Sequence, residues 1–176
     1  SCVLAATLLL IAMWNASRRD RRILAGILLG LCSIKPQFAL LPSFWLLLEG
    51  QFLTLIIAAA VTAVLGVTPL VISGPSQVIE SWVAAVREYP KAPGNPLGFL
   101  TVIGLPSLSV AAGLAIPGAV FLGCSAILFA LTWLKRRAMT PSCVLGILGG
   151  IGLGFGYAHD ADMVVLAPLV AALAVI

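Results

Sequence analysis

Residues 52–72 form an unbroken apolar run of 21 residues without a single charge. As a helix rising ~1.5 Å per residue, that run is about 31 Å long, which matches the hydrocarbon core of a bilayer. The rest of the chain gives such a helix little chance of a watery home. Hydrophobic residues make up 61% of the sequence and charged residues 9%, where soluble domains carry about 45–50% and about 25%. Mean hydropathy is +1.16. Polar surface is too scarce to cover a soluble globule, and disorder is excluded for the same reason. The chain reads as an all-α, polytopic integral membrane protein. About six or seven membrane segments are expected, several of them short or broken. Residues 1–176 are taken as one transmembrane domain.

The charges support this reading. Ten Lys and Arg oppose six Asp and Glu. Seven of the ten lie in two clusters, Arg18-Arg19-Asp20-Arg21-Arg22 and Lys135-Arg136-Arg137, each directly after a long apolar run. Cytoplasmic loops have that pattern. No aromatic residues are interleaved with the clusters, so no nucleic-acid partner is expected; the bilayer is the expected one. Cys2, Cys32, Cys124 and Cys143 form no CxxC pair and sit in apolar stretches. They read as small buried hydrophobes, with no disulfide framework or zinc site. Apolar sequence starts at once after Ser1 and continues to Ile176, so the chain is expected to be an internal piece of a longer polytopic protein of the plasma membrane.

Apolar segments cover residues 2–16, 23–34, 38–48, 52–72, 97–134 and 143–157, and a last one runs to Ile176. Segments 23–34 and 38–48 flank Lys35-Pro36 and are each short for a crossing. Two topologies fit, and both keep the basic clusters inside. In one, 23–48 is a hairpin with Lys35-Pro36 at its outer tip, the polar stretch 73–96 is outside, and 107–134 is one span. In the other, 23–48 is a single kinked span, 73–96 is inside, and 97–134 turns near Pro117-Gly118. Within the polar stretch, Pro75 suits a first helical turn. Val78, Ile79, Trp82, Val83, Val86 and Tyr89 recur at helical spacing beyond it. That pattern predicts an amphipathic helix at the interface, within an extracytoplasmic loop over 73–107.

Two places stand out chemically. A lysine at the centre of an apolar segment costs roughly 2.5–3.5 kcal/mol on insertion scales. Lys35, with Gln37 beside it, therefore reads as a cationic site for an anionic headgroup, most simply a phosphate. The plainer alternative is a lysine that snorkels to the interface. His159-Asp160-Ala161-Asp162 holds the only histidine and two carboxylates, at the junction of two apolar runs. Such groups orient sugar hydroxyls or exchange protons; a solvated turn is the plain alternative. No metal site is expected. Gly149-Gly150 with Gly152, Gly154 and Gly156 lacks the strand-turn-helix context of a nucleotide loop. Gly146, Gly150 and Gly154, like Gly26 and Gly30, instead recur every four residues, as in close-packed membrane helices.

Leu24-Ala25-Gly26-Ile27-Leu28-Leu29-Gly30 followed by Lys35-Pro36-Gln37 is similar to a stretch of the family 87 membrane glycosyltransferases, polytopic enzymes of the GT-C type. Gly74-Pro75 with Trp82, and then Gly94-Asn95-Pro96-Leu97, resembles that family's outer loop. Tyr157 with His159-Asp160 and Asp162 resembles its late motif. The resemblance implies transfer of a sugar, mannose-like, from a polyprenyl-phosphate donor to a glycan or glycolipid acceptor on the extracytoplasmic face. It implies no cofactor. Lys35, Gln37, His159, Asp160 and Asp162 become the expected substrate-binding residues. The acid that activates the acceptor belongs to an early outer loop upstream of Ser1, so no catalytic residue is assigned in this chain. The competing class is a proton-coupled transporter or lipid flippase, in which Lys35 and Asp160 would form a gating pair.

Overall fold

The computed structural model describes residues 2–16, 18–91, 96–97, 102–156, 158–159, 162–163 and 166, with the backbone alone at positions 2, 3, 86, 90, 158 and 159. Eight α-helices occur among the described residues: α1 (Cys2–Ala16), α2 (Arg22–Cys32), α3 (Pro36–Leu48), α4 (Phe52–Ser73), α5 (Pro75–Glu88), α6 (Leu105–Ala111), α7 (Gly118–Lys135) and α8 (Pro141–Phe155). Most begin or end within two residues of the apolar segments. Proline opens α3, α5 and α8, where its missing N–H costs nothing and its fixed φ already suits a helix. Thr140 caps α8, its side chain accepting the Cys143 N–H at 3.2 Å.

Side-chain and backbone contacts fix the direction of each helix. Cys32 Sγ, at the end of α2, donates to the Ala5 carbonyl near the start of α1. Arg21, just before α2, donates to Asn15 Oδ1 near the end of α1. The two helices are therefore antiparallel. α4 runs parallel to α2: Thr54 Oγ1 donates to the Arg22 carbonyl, Gly26 faces Ile57, and Gly30 faces Val61. A Cβ built on Gly26 would stand 2.7 Å from Ile57 Cβ, and one on Gly30 would stand 2.6 Å from Val61 Cβ. Only glycine lets these two backbones approach so closely.

α3 returns from Lys35 toward the basic end, where Glu49 meets Arg136 at 3.6 Å. Helices α2 and α3 thus form a hairpin with Lys35-Pro36 at the tip, away from the arginine clusters, as in the first of the two topologies. α7 runs parallel to α3. Trp45 of α3 sits edge-on to both Phe129 and Trp133 of α7, with ring centroids 5.8 and 5.0 Å away. Arg136 covers the other side of Trp133 at 4.0 Å. α8 runs back between α1 and α3, and its Val144, Leu145, Leu148 and Ile151 enter a core shared with Leu9, Leu29, Phe38 and Trp45.

Two expectations need correction. Residues 107–134 do not form one span: Ser107 lies in the short α6, residues 112–117 are not helical, and the crossing helix is α7. Pro117 has an extended φ/ψ and ends the irregular stretch at the N-cap of α7. The α8 glycines also do not form a continuous helix-packing face. A Cβ on Gly154 would meet nothing within 4 Å, and one on Gly150 would only touch Leu166 at 3.6 Å. The sequence offered no sign of the two-residue antiparallel ladder that pairs Val102 with His159 and Ile103 with Ala158.

By length and composition, α4 and the helix through α7 can cross a membrane. Their apolar faces look outward: Val71 is 79% exposed and Ile72 78%. Apolar surface on that scale is unstable in water and normal against lipid. α2 and α3 are only about 16 and 20 Å long at 1.5 Å per residue, so their hairpin does not reach as far as α4. Since Gly30 lies level with Val61, α4 continues about 18 Å beyond the level of Gly30. α5 follows after Gly74, whose φ of +82° favours glycine. It exposes Ile79 and Trp82. The apolar run after residue 166 lies outside the described residues.

Candidate functional site

The depth of Lys35 poses an electrostatic problem. An ammonium group at the tip of a hairpin shorter than the bilayer-length α4 needs a partner or a route to water. The fold supplies a partner from the far end of the chain. Lys35 Nζ donates to Asp162 Oδ1 at 2.8 Å. The Asp162 side chain is 1% exposed and that of Lys35 22%. The lysine is therefore the accessible member of the pair and the aspartate the buried one. This geometry excludes simple snorkelling, because the side chain is held on a carboxylate.

Local structure orients the lysine. The α2 helix ends in tight turns, with the N–H groups of Ser33, Ile34 and Lys35 donating to the carbonyls of Gly30, Leu31 and Cys32. Lys35 is then the N-cap of α3, with Pro36 next. The Lys35 backbone thus lies between the C-terminus of one helix and the N-terminus of another. The α2 end favours the cation; the α3 start is a place where an anion is favoured. Lys35 Nζ also stands 5.7 Å from the centroid of the Phe38 ring.

Gln37 and Phe38 lead from this point into a cavity of about 570 Å³ between α3, α6, α7 and α8. Its walls are mainly apolar, including Leu9, Leu41, Phe121, Leu148 and Phe155, with Gln37, Ser109 and Ser125 as polar points. Gly149, Gly152 and Gly156 also line it, on a face of α8 other than the one that carries Gly146, Gly150 and Gly154. Gly104 packs against the end of α8. Its φ is +110°, and a Cβ there would come within 2.7 Å of the Leu153 carbonyl oxygen. Glycine is what allows the Val102–Ile103 strand and α6 to rest on the tip of α8.

Of the five expected site residues, Lys35 and Asp162 are brought into contact and Gln37 lies two residues along, on the cavity wall. His159 has its backbone in the ladder opposite Val102. Asp160 and Tyr157 lie outside the described residues, as does the 94–95 part of the expected outer-loop motif. Among the described residues, no group of three or more metal-ligating side chains is found. The cavity itself was invisible in the sequence; the small residues of α8 were its one trace.

The described residues thus form a helical fold with two helices able to cross a membrane and an ion pair two residues along the chain from the wall of an apolar cavity. The chain belongs to glycosyltransferase family 87, whose family model matches residues 1–155. It is a transferase of a membrane-bound family, which sets it apart from the transporter class. The matched stretch includes Lys35-Pro36-Gln37 and ends before His159, so the late motif lies outside it. No curated protein and no solved structure matches the chain.

Proposed function

We propose that this enzyme moves a mannose-like sugar from a polyprenyl-phosphate donor to a hydroxyl of a glycan or glycolipid acceptor, on the extracytoplasmic face of the plasma membrane. One observation carries the reading: Lys35, its side chain 22% exposed, is the N-cap of α3, two residues before Gln37 on the wall of an apolar cavity. A ligand with an anionic head and a long hydrocarbon tail matches both halves. The phosphate sits on Lys35 and the N-terminus of α3, and the tail follows Phe38, Leu41 and Phe121 into the cavity.

In the reaction the bond between the sugar C1 and the phosphate oxygen breaks, and its electron pair stays on the phosphate. C1 takes the acceptor oxygen, and the acceptor proton passes to a base. Lys35 stabilises the charge that grows on the departing phosphate. Gln37 donates to the same headgroup at the cavity mouth. His159 and Asp160 hold sugar hydroxyls, and Asp162 acts through Lys35. No residue of this chain is assigned as the base. α5 lies along the outer interface above the site, with Ile79 and Trp82 in the headgroup layer.

The test is covalent transfer of labelled sugar from a polyprenyl-phosphate donor by the intact protein in membranes. Lys35→Ala combined with Asp162→Asn leaves no buried carboxylate without its counter-ion, so it is expected to fold. Its transfer rate should drop at least about a hundredfold, as for loss of a group that stabilises the transition state. Lys135→Ala should retain wild-type rates. Transfer that survives in the double variant defeats the phosphate role of Lys35, and translocation of the lipid without transfer defeats the reading as a whole.

A further inference from the structure

We propose that the basic end of the helix bundle holds a site for an anionic glycerophospholipid, its phosphate on Arg136 and a headgroup hydroxyl on Gln51. The inference goes beyond the donor reading and does not depend on Lys35. It starts from the distribution of arginine. Six of the chain's seven arginines, Arg18, Arg19, Arg21, Arg22, Arg136 and Arg137, stand at this end, against the carboxylates of Asp20 and Glu49. Lysine serves orientation in the membrane as well as arginine does, whereas arginine's planar fork is the better match to phosphate.

Tertiary packing brings the two arginine groups to one cavity of about 160 Å³, lined by Ala16, Trp45, Glu49, Gln51, Arg136 and Met139. Its volume suits a headgroup rather than an acyl chain. The Arg136 guanidinium is held in place there. It lies 4.0 Å from the Trp133 ring, Nη1 donates to the Trp133 carbonyl at 2.9 Å, and Nε stands 3.6 Å from Glu49 Oε1. None of these contacts uses Nη2, and the side chain is 30% exposed. Two further atoms at this end need partners. Among the described residues, buried Gln51 Oε1 accepts no hydrogen bond and buried Arg22 Nε donates none. Arg22 adjoins Gln51, because its carbonyl accepts from Thr54 Oγ1 in the first turn of α4, the helix that follows Gln51. Buried polar atoms without partners are costly. These two ask for opposite groups: an oxygen acceptor for the arginine, a hydroxyl donor for the glutamine. A phosphodiester that carries a polyol, as in phosphatidylglycerol, supplies both. The bilayer is favoured over a soluble ester as its source. Leu131 and Leu134, in the last turns of α7 before Arg136, are 53% and 73% exposed and offer acyl chains a surface. Basic pockets between membrane helices bind lipid headgroups in this way.

The experiment uses the intact protein, delipidated in a neutral detergent. The probes are phosphatidylglycerol, phosphatidylmethanol, phosphatidylcholine and free glycerol 1-phosphate, and native mass spectrometry reads the binding of each. Phosphatidylglycerol should bind about tenfold or more tighter than phosphatidylcholine, the equivalent of one charge-assisted hydrogen bond. It should bind about fivefold tighter than phosphatidylmethanol, which has the same charge and no hydroxyl. Arg136→Gln should weaken phosphatidylglycerol at least about tenfold. Arg19→Gln, exposed and outside the cavity, should weaken it less than about threefold. Gln51→Leu should erase the preference over phosphatidylmethanol and keep that over phosphatidylcholine. Equal losses from Arg136→Gln and Arg19→Gln would mean bulk attraction to a basic surface and would overturn the site. Competition by glycerol 1-phosphate at lipid-like concentrations also overturns it, since the ligand would then be a soluble ester. If Arg136→Gln does not fold, the wild-type protein still decides: equal binding of phosphatidylglycerol and phosphatidylmethanol removes the hydroxyl contact on Gln51, and the proposal with it.

Discussion

At the scale of single residues, the most expensive feature of the sequence becomes the organising feature of the site. Lys35 was conspicuous because a charge in an apolar segment needs compensation. What the sequence left open was which group compensates. Asp160 and Asp162 are two residues apart and equally acidic, and the transport alternative paired Lys35 with Asp160. The structure gives Lys35 a hydrogen bond to Asp162, 127 positions away, and no local pattern encodes a partner at that distance. The pair makes a stability prediction of its own. Asp162→Leu leaves a half-buried ammonium without this carboxylate and should cost about 3 kcal/mol. Lys35→Met together with Asp162→Leu should recover most of that loss, as a well-packed apolar replacement does. Thermal unfolding in detergent measures both. Equal destabilisation by the single and double variants would mean that the two residues are not energetically coupled.

At the scale of elements, glycine spacing proved informative on one helix and misleading on another. Gly26 and Gly30 meet α4 backbone to backbone, as the four-residue repeat suggested. Gly150 and Gly154 show the same repeat, yet among the described residues a Cβ on Gly154 would meet nothing within 4 Å. A repeat of small residues records that something must come close or that space must be kept. Which of the two applies depends on the neighbouring helix. Gly30→Leu should force α2 and α4 apart and cost several kcal/mol, since the obstructing atoms are the Val61 Cβ and the Ala58 carbonyl oxygen rather than a flexible side-chain tip. Gly66→Ala is the matching control on α4, where a Cβ meets nothing. It should be neutral or stabilising by up to about 1 kcal/mol through helix propensity. Comparison of the two melting temperatures checks the prediction. A similar logic applies to the aromatic contact of α3 and α7. Trp45→Ala removes a buried ring from between Phe129 and Trp133 and should cost about 3–5 kcal/mol.

At the scale of the whole molecule, helix direction decides what lies on which side. The antiparallel return of α3 and the parallel course of α4 put Lys35, the end of α4 and the end of α8 away from the basic clusters. With the clusters in the cytoplasm, Ser76 at the start of α5 faces outward and Arg137 inward. In a cysteine-free background, Ser76→Cys should react with an impermeant thiol reagent applied to intact cells. Arg137→Cys should react only after permeabilisation. The opposite pattern would invert the protein and place Lys35 on the cytoplasmic side, away from an extracytoplasmic acceptor.

Hydrophobic content and run length decided, without any coordinates, that lipid is the solvent and where most helices lie, because burying backbone hydrogen bonds in a bilayer allows little besides helix. The Lys35-Pro36 break, the amphipathic α5 and the family were legible for the same local reason: each rests on residues within one short stretch. The hairpin course of α2 and α3 was one of two options that the loop charges left balanced, since Glu80, Arg87, Glu88 and Lys91 cancel. Tertiary packing chose between them through Gly26, Gly30 and Trp45. Packing also split residues 105–135 into α6 and α7, opened the cavity beside Gln37, and brought Asp162 to Lys35. Those outcomes depend on contacts between segments far apart in the chain, where periodicity, propensity and composition carry no information about which surfaces meet.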